Sequence, residues 1–350
     1  MSEGVRLAKR LRVEVQEARA NTRTSSWWDQ VDVWRHGFVA RQARLFDFEQ
    51  FGFSGYLSEY ARKRRVHRLN RNAGVLGDKL VAGLVLEAIG TPTPAIFGVM
   101  EAGQVVPLDR ASERTDLESL LRRHDRLVVK PRDGSHGHGV LMVERRDGAT
   151  VVNGSTATPL RPERLDRMLV SEFVEQHEYA RSIYPHATNT IRVMSLREHG
   201  SGRPFVVAAH HRFGTRSSGA VDNTGAGGLT ADVDVATGAL GRLAALPGGY
   251  LPVGARVRWS DDHPDTGARV TGTVVPRWPE IIAEIKRTMS RLPDFGWVGW
   301  DVAVTADGFK IIEGNPGPDI HGLQLHQPLL RDTRVRTLFE ARGIVSAGRR

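Results

Sequence analysis

Apolar positions follow two alternating rhythms along this chain, one at helical spacing and one at every second residue, separated by Gly and Pro. The block LVAGLVLEAIG after Asp78 predicts a helix through Ile89. Asp78 caps it, and Gly90 with Pro92 and Pro94 stops it. Thr115 and Glu118 form a capping box for a helix to about His124, which leads into a strand at Leu127–Lys130. A strand at Val170–Val174 follows, and NTIRVMSL and PFVVAAHHRF alternate as consecutive antiparallel strands. Pro279 opens an amphipathic helix with Ile281, Ile282, Ile285 and Met289 on one side. The sum is a mixed α+β architecture behind a helical segment at residues 1–54, with no internal repeat or low-complexity tract.

The last apolar pair carries geometric information. Trp297–Val304 and Phe309–Glu313 are joined by Thr305-Ala306-Asp307-Gly308, a hairpin signal. A three-residue loop closed by Thr305 and Phe309, with Gly308 at positive φ, puts Asp301 opposite Glu313, with Asn315 pointing the same way. Two such carboxylates and an amide suit a hard dication, magnesium above all. A two-residue Asp307-Gly308 turn shifts the register by one and sends Glu313 to the other face. The local sequence leaves both open.

Lys130 begins VVKPRDGSHGHGV, in which Gly134, Gly137 and Gly139 free backbone N–H groups to approach phosphate oxygens beside an ammonium. An ordinary turn after a strand is the alternative reading. His136 and His138 within it are read as solvent-facing, and His210, His211 and His263 lack metal-site spacing and read as surface or hydrogen-bonded histidines.

Composition narrows the rest. The 350 residues contain Cys 0, which excludes disulfides, thiolate metal sites and a thiol nucleophile. The longest apolar stretch is interrupted by Glu87 and too short to span a bilayer, and the N-terminus lacks an apolar signal core, so a cytoplasmic location is expected. The net charge is +9, and residues 1–71 hold 15 Lys and Arg against 8 Asp and Glu. The cluster ARKRRVHRLNR at 61–71 reads as a solvated helix face, an anion or partner contact, or, least favoured, a nucleic-acid contact, since no aromatic interleaving accompanies it. The aromatic run RLFDFEQFGFSGYLSEY before it reads as core packing.

The order Lys79, Lys130 with its glycine loop, LVSEFVEQH, then Asp301, Glu313 and Asn315 resembles the ATP-grasp superfamily. More narrowly, NTIRVMSL, VDNTGAGGLTADVDVATGAL, HPDTG and GWDVAVTADGFKIIEGNPGPD are similar to its sugar-transfer-associated branch, related to alpha-L-glutamate ligases, over roughly residues 55 to 330. The resemblance implies an α+β ATP-grasp fold in which two α+β subdomains clamp ATP. Residues 1–54 would be a basic, aromatic helical extension and 55–125 the N-terminal part of the ATP-grasp region. Residues 126–330 would be the nucleotide- and metal-binding core, and 331–350 a C-terminal tail.

By that resemblance Lys79 and Lys130 neutralise nucleotide phosphates, and Gly134, Ser135, Gly137 and Gly139 form a lid over them. Glu172, Phe173 and Val174 form the adenine hinge, and Glu178 is the ribose-binding acid. Asp301, Glu313 and Asn315 hold a pair of magnesium ions. Arg192, helped by Asn189 and Arg212, meets the γ-phosphate and a substrate carboxylate. Asp222 and Asn223 orient substrate or cap the glycine-rich loop 214–228, with Gly227 and Gly228 beside them. The implied activity is an ADP-forming carboxylate–amine ligase working through an acyl phosphate on small-molecule substrates, in glycan, cell-surface or secondary-metabolite biosynthesis. A phosphotransferase, a non-turning-over ATP-binding module and a nucleic-acid-binding module are the alternatives. The substrates are not readable from the motifs, and the oligomeric state stays open, a homodimer included.

Overall fold

A computed structural model describes residues 3–21, 26–108, 113–134, 139–158, 160–252 and 254–347. Thirteen strands among them form two antiparallel sheets. The first has six: β1 (Ile96–Glu101), β2 (Gln104–Val106), β3 (Arg126–Pro131), β4 (Leu141–Arg146), β5 (Ala149–Val152) and β6 (Met168–Glu172), ordered β2-β1-β6-β3-β4-β5. The second has seven: β7 (Ile191–Arg197), β8 (Pro204–Phe213), β9 (Leu229–Val233), β10 (Leu240–Ala245), β11 (Arg258–Ser260), β12 (Trp297–Val304) and β13 (Phe309–Asn315), ordered β11-β10-β9-β8-β7-β12-β13.

Alternation along the strands decides what each face meets. Val129, Val143 and Val170 of the first sheet pack on Leu117, Leu120 and Leu121 of the helix Leu117–His124. In the second sheet Ile191, Val193, Ala209 and Ala231 face the helix Trp278–Arg291, whose Ile281, Ile285 and Met289 are fully buried. Met194, Leu196 and Ala208 point the other way, onto Val335, Leu338 and Phe339 of the helix Thr333–Ala341. Burying each such side chain stabilises the fold by about 1.5–3 kcal/mol. Near the N-terminus, Phe38, Phe46, Phe48, Phe53 and Tyr56 stack edge and face into a small aromatic core against Ala244 and Leu246, the packing role read from the sequence.

Two helix starts differ by one residue from their sequence signals. Asp116, not Thr115, caps the helix Leu117–His124, accepting from Ser119 N at 2.6 Å, because the Thr115 backbone is bonded in both directions to Val105. The later helix begins at Trp278 because Arg277 holds a left-handed φ of 58°. Asp78 caps the helix Lys79–Ala88 as expected, through Leu80 N and Val81 N. No helix of the described residues is long and apolar enough to cross a membrane.

The sheets meet along one line. Ile311 N of β13 donates to Pro92 O before β1 and His177 N after β6 donates to Val304 O of β12, while Lys79 N, at the start of the helix Lys79–Ala88, donates to Arg132 O after β3. Glu172 of β6 also takes Lys310 of β13 as an ion-pair partner at 2.5 Å.

Candidate functional site

Between the sheets lies a cavity of about 550 Å³ whose two walls carry different chemistry. On the first sheet's side stand Lys79, Lys130, Val128, Met142, Ser171, Glu172 and Val174. Lys130 is held at the end of β3. Burial pulls its ammonium below the usual lysine range, opposed by nearby Glu313 and assisted by Lys79. Lys79, first residue of its helix, donates from Nζ to Gly134 O at 2.8 Å and so grips the glycine loop. Gly134 and Gly139 both need left-handed φ, 109° and 76°. Ser135 and Gly137, with His136 and His138, lie outside the described residues.

Val128, Met142, Val174 and Ile312 make an apolar slot, and Ser171 Oγ, buried beside them, has no hydrogen-bond partner among the described residues. Glu172 has a role the motif does not show: its carboxylate is bound to Lys310 Nζ and Ala95 N, tying the two sheets together. Phe173 does not line the cavity; it lies under the Arg126 guanidinium at 5.1 Å.

The opposite wall belongs to a polar row running across five strands. Asp232, His210, Arg192, Asp301 and Glu313 are direct cross-strand neighbours on β9, β8, β7, β12 and β13, so their side chains share one face, and all but Asp232 line the cavity. Asp301 does face Glu313, by a different route from the loop arithmetic. The hairpin closes tighter, with Val304 opposite Phe309 and Thr305 N donating to Gly308 O, and Gly308 has no positive φ. That ladder alone would oppose Asp301 to Ile312. A bulge between Asp301 and Val302 restores Glu313 to the facing position.

Arg192 grips Asp301 with Nε and Nη2, and Arg212 Nη2 reaches the same carboxylate at 2.9 Å. Burial works to raise the Asp301 carboxyl, but the two guanidinium groups outweigh it and hold the group well below the usual carboxylate range. Asn315 donates to Glu313 Oε1 at 3.1 Å, which leaves its own carbonyl oxygen and Glu313 Oε2 directed elsewhere. Among the described residues no three His, Cys, Asp or Glu side chains cluster as a metal site. The donors Asp301, Glu313 and Asn315 nonetheless all line the cavity and offer only hard oxygens, the chemistry a magnesium ion takes. Asp301 would have to exchange guanidinium for metal.

Several sequence-based assignments land elsewhere. Asn189 is 2% exposed and off the cavity wall: its Nδ2 donates to Gln176 Oε1, Ala180 O and Tyr184 O, and its Oδ1 accepts from Gly214 N, so every donor and acceptor is used internally. Glu178 opens the short helix Glu178–Ile183 with its carboxylate 68% exposed and paired to Arg181, away from the cavity. Asp222 lines the cavity but spends Oδ2 on Thr190 N and Thr190 Oγ1, with Arg212 Nε at 3.4 Å. Asn223 caps the turn Thr224–Ala226 through Gly225 N. Gly227 and Gly228 are buried and do not line the cavity; a Cβ on Gly228 would sit 2.3 Å from Asp222 O, so glycine there serves close packing.

Other lining residues were assigned no role from the sequence. Arg62, from the basic cluster, is locked by Glu59 and by the carbonyls of Gly317 and Pro318, and Lys63 shares Glu59 at 2.9 Å. Asp319 pairs with His321. His210, read from the sequence as a surface or hydrogen-bonded histidine, is 5% exposed and has neither. Only contact between distant segments assembles this end, and local patterning holds no trace of it.

Among solved structures the fold is similar to N5-carboxyaminoimidazole synthetase from Staphylococcus aureus complexed with ADP (10% identity, 76% of this chain and 54% of that chain, TM-score 0.43). It is also similar to the ATP-grasp ligase PsnB with minimal precursor, Mg and ADP (13%, 78% and 59%, TM-score 0.39) and to D-alanyl-alanine synthetase A from Vibrio cholerae (10%, 77% and 65%, TM-score 0.44). The chain thus spans between 54% and 65% of the length of these structures. Among curated proteins none matches it. The model of the family described as sugar-transfer associated ATP-grasp matches residues 60–336, and the chain belongs to that family.

Proposed function

We propose that this protein is an ATP-dependent ligase that joins a small-molecule carboxylate to an amine through an acyl phosphate. The observation that carries the reading is the pairing of walls: two lysines and a glycine loop face a row of arginine, carboxylate and amide groups across one cavity. Lys79 and Lys130 would offset the charge of a polyphosphate, and the slot of Val128, Met142, Val174 and Ile312 would take the base, with Ser171 Oγ available to it. Asp301, Glu313 and Asn315 would hold magnesium, which when bound supplies positive charge to the phosphates. A polyphosphate arriving beside Arg192 and Arg212 competes with Asp301 for their guanidinium groups and so frees that carboxylate.

The reaction balances as follows. A substrate carboxylate oxygen attacks the γ-phosphorus, the bond to the β,γ-bridging oxygen breaks, and ADP leaves. An amine nitrogen then attacks the acyl carbon, the bond from that carbon to the phosphate oxygen breaks, and the proton lost by nitrogen leaves with the phosphate. The chain's part is to fix the reacting groups, stabilise the developing charge with Arg192 and Arg212, and keep water out beneath the glycine loop. The test is to supply ATP, magnesium and a panel of carboxylic acids with hydroxylamine as trapping nucleophile. Hydroxamate formed together with ADP supports the reading; a phosphorylated acceptor with no hydroxamate or amide overturns it.

A further inference from the structure

Of the two histidines described on the cavity wall, His210 is the one that bonds through neither ring nitrogen. It is 5% exposed, lines the cavity, and among the described residues bonds to nothing: Nδ1 is fully buried without a partner, and no contact satisfies Nε2. Other histidines are held through at least one ring nitrogen: His211 by Tyr179 Oη and Arg212 O, His263 by Gly214 O, and His321, also on the cavity wall, by Asp319 at Nδ1, although Nε2 of His321 and of His326 is likewise buried without a partner among the described residues. Proteins seldom bury a polar ring unpaired, and where they do a ligand is a common explanation.

Its position says which ligand. Glu313, close enough to Lys130 to act on its charge, marks the phosphate end of the polar row. His210 lies three strands further along the same face, beyond Asp301 and Arg192, which at about 4.8 Å per strand is roughly 14 Å away. The reacting phosphorus would sit near Arg192, so the group beyond it toward His210 is the acceptor.

Burial above all, then the positive charges of Arg212 and Arg192, keep the imidazole neutral, with Asp301 only partly opposing them. A neutral imidazole offers one nitrogen as an acceptor. The ring's Cε1 and Nε2 edge faces Gly322, where a Cβ would come within 3.1 Å, so the missing side chain leaves that edge clear.

We propose that His210 is a substrate-binding residue whose imidazole accepts a hydrogen bond from an N–H of the amine acceptor, orienting the nitrogen lone pair toward the activated carboxylate. The inference rests on the ligase reading above. The test uses the full chain with ATP, magnesium, a carboxylate that yields hydroxamate, and the twenty amino acids as amine probes. In His210→Ala the amine KM should rise roughly tenfold or more, while the KM for ATP stays within about twofold. Gly322→Ala, which crowds the ring without removing it, should raise the amine KM in the same direction by roughly threefold and covers the case in which His210→Ala fails to fold. Equal rises in both KM values, or no rise in either folded variant, would overturn the proposal. A wild-type chain that forms no hydroxamate with any carboxylate overturns the ligase reading itself, and that result is seen before any variant is made.

Discussion

Arg192 and Asp301 lie directly opposite each other on β7 and β12 and form a bidentate ion pair in the wall of the cavity, with Arg212 as a third member. Asp301 is therefore the carboxylate the two enclosed guanidinium groups share, and its loss would leave Arg192 without its ion-pair partner and Arg212 with Asp222 alone. Asp301→Ala is expected to destabilise the fold by about 3–5 kcal/mol as well as stop turnover. Glu313→Ala should stop turnover too but cost less than about 1 kcal/mol, since among the described residues the half-buried Glu313 is hydrogen-bonded only to Asn315. Denaturant unfolding of both variants beside ADP release separates the roles, and equal losses of stability would show that Asp301 is not the clamp described.

Asn189 and Glu178 make a complementary pair of variants. Asn189→Ala leaves Gly214 N without its acceptor and takes one donor each from Gln176 Oε1, Ala180 O and Tyr184 O, which keep Asn189 N, Tyr184 N and Gln176 Nε2 as partners, and should cost about 1–3 kcal/mol, read as a lower melting temperature. Glu178→Ala touches only an exposed ion pair, with an expected effect under about 0.5 kcal/mol and no change in the KM for ATP. A large rise in that KM would return Glu178 to the ribose-binding role.

What the sequence disclosed depended on range. Asp78 with its following apolar block specified a helix because capping and periodicity act within a few residues. The strands β7 and β8 followed from alternation for the same reason. The facing of Asp301 and Glu313 came out correctly although the loop differs, because the bulge compensates for a turn one residue tighter, and no local pattern announces a bulge. Asn189 was misread because a polar residue beside a motif looks the same in sequence whether it turns inward to Gln176 or outward to substrate. His210 and Arg62 reach the cavity only through contacts between segments far apart in the chain, to which periodicity is blind.

Gly228 tests the loop that carries Asp222. A Cβ there would meet Asp222 O at 2.3 Å and Asn223 C at 3.0 Å, both backbone atoms that cannot swing aside. Gly228→Ala must move the loop and with it the Asp222 carboxylate that receives Thr190 N. A stability loss of about 2 kcal/mol or more is expected, together with weakened turnover. A variant that melts with the wild type and turns over normally would mean that this loop shifts without consequence.

Asp232 gives a pH dependence whose sign follows from its surroundings. It stands at the end of the polar row, opposite His210, and burial first, then the like charge of Asp234, push its carboxyl up to about 6 from 3.8. A folded-state value raised above the unfolded one means the native protein binds the proton more tightly between those limits. Stability therefore falls as pH rises from 3.8 toward 6, and the full penalty remains at neutral pH. Asp232→Asn removes the charge but keeps the shape, so it should stabilise the protein at about pH 7.5 by about 1–2 kcal/mol, allowing for partial exposure of the group. The gain should shrink through the window between 6 and 3.8 and vanish below it, because the wild-type carboxyl is then protonated in both states. Denaturation midpoints of the two proteins across that range provide the check. A variant that is less stable at neutral pH would mean that the ionised carboxylate has a partner that burial and Asp234 do not outweigh.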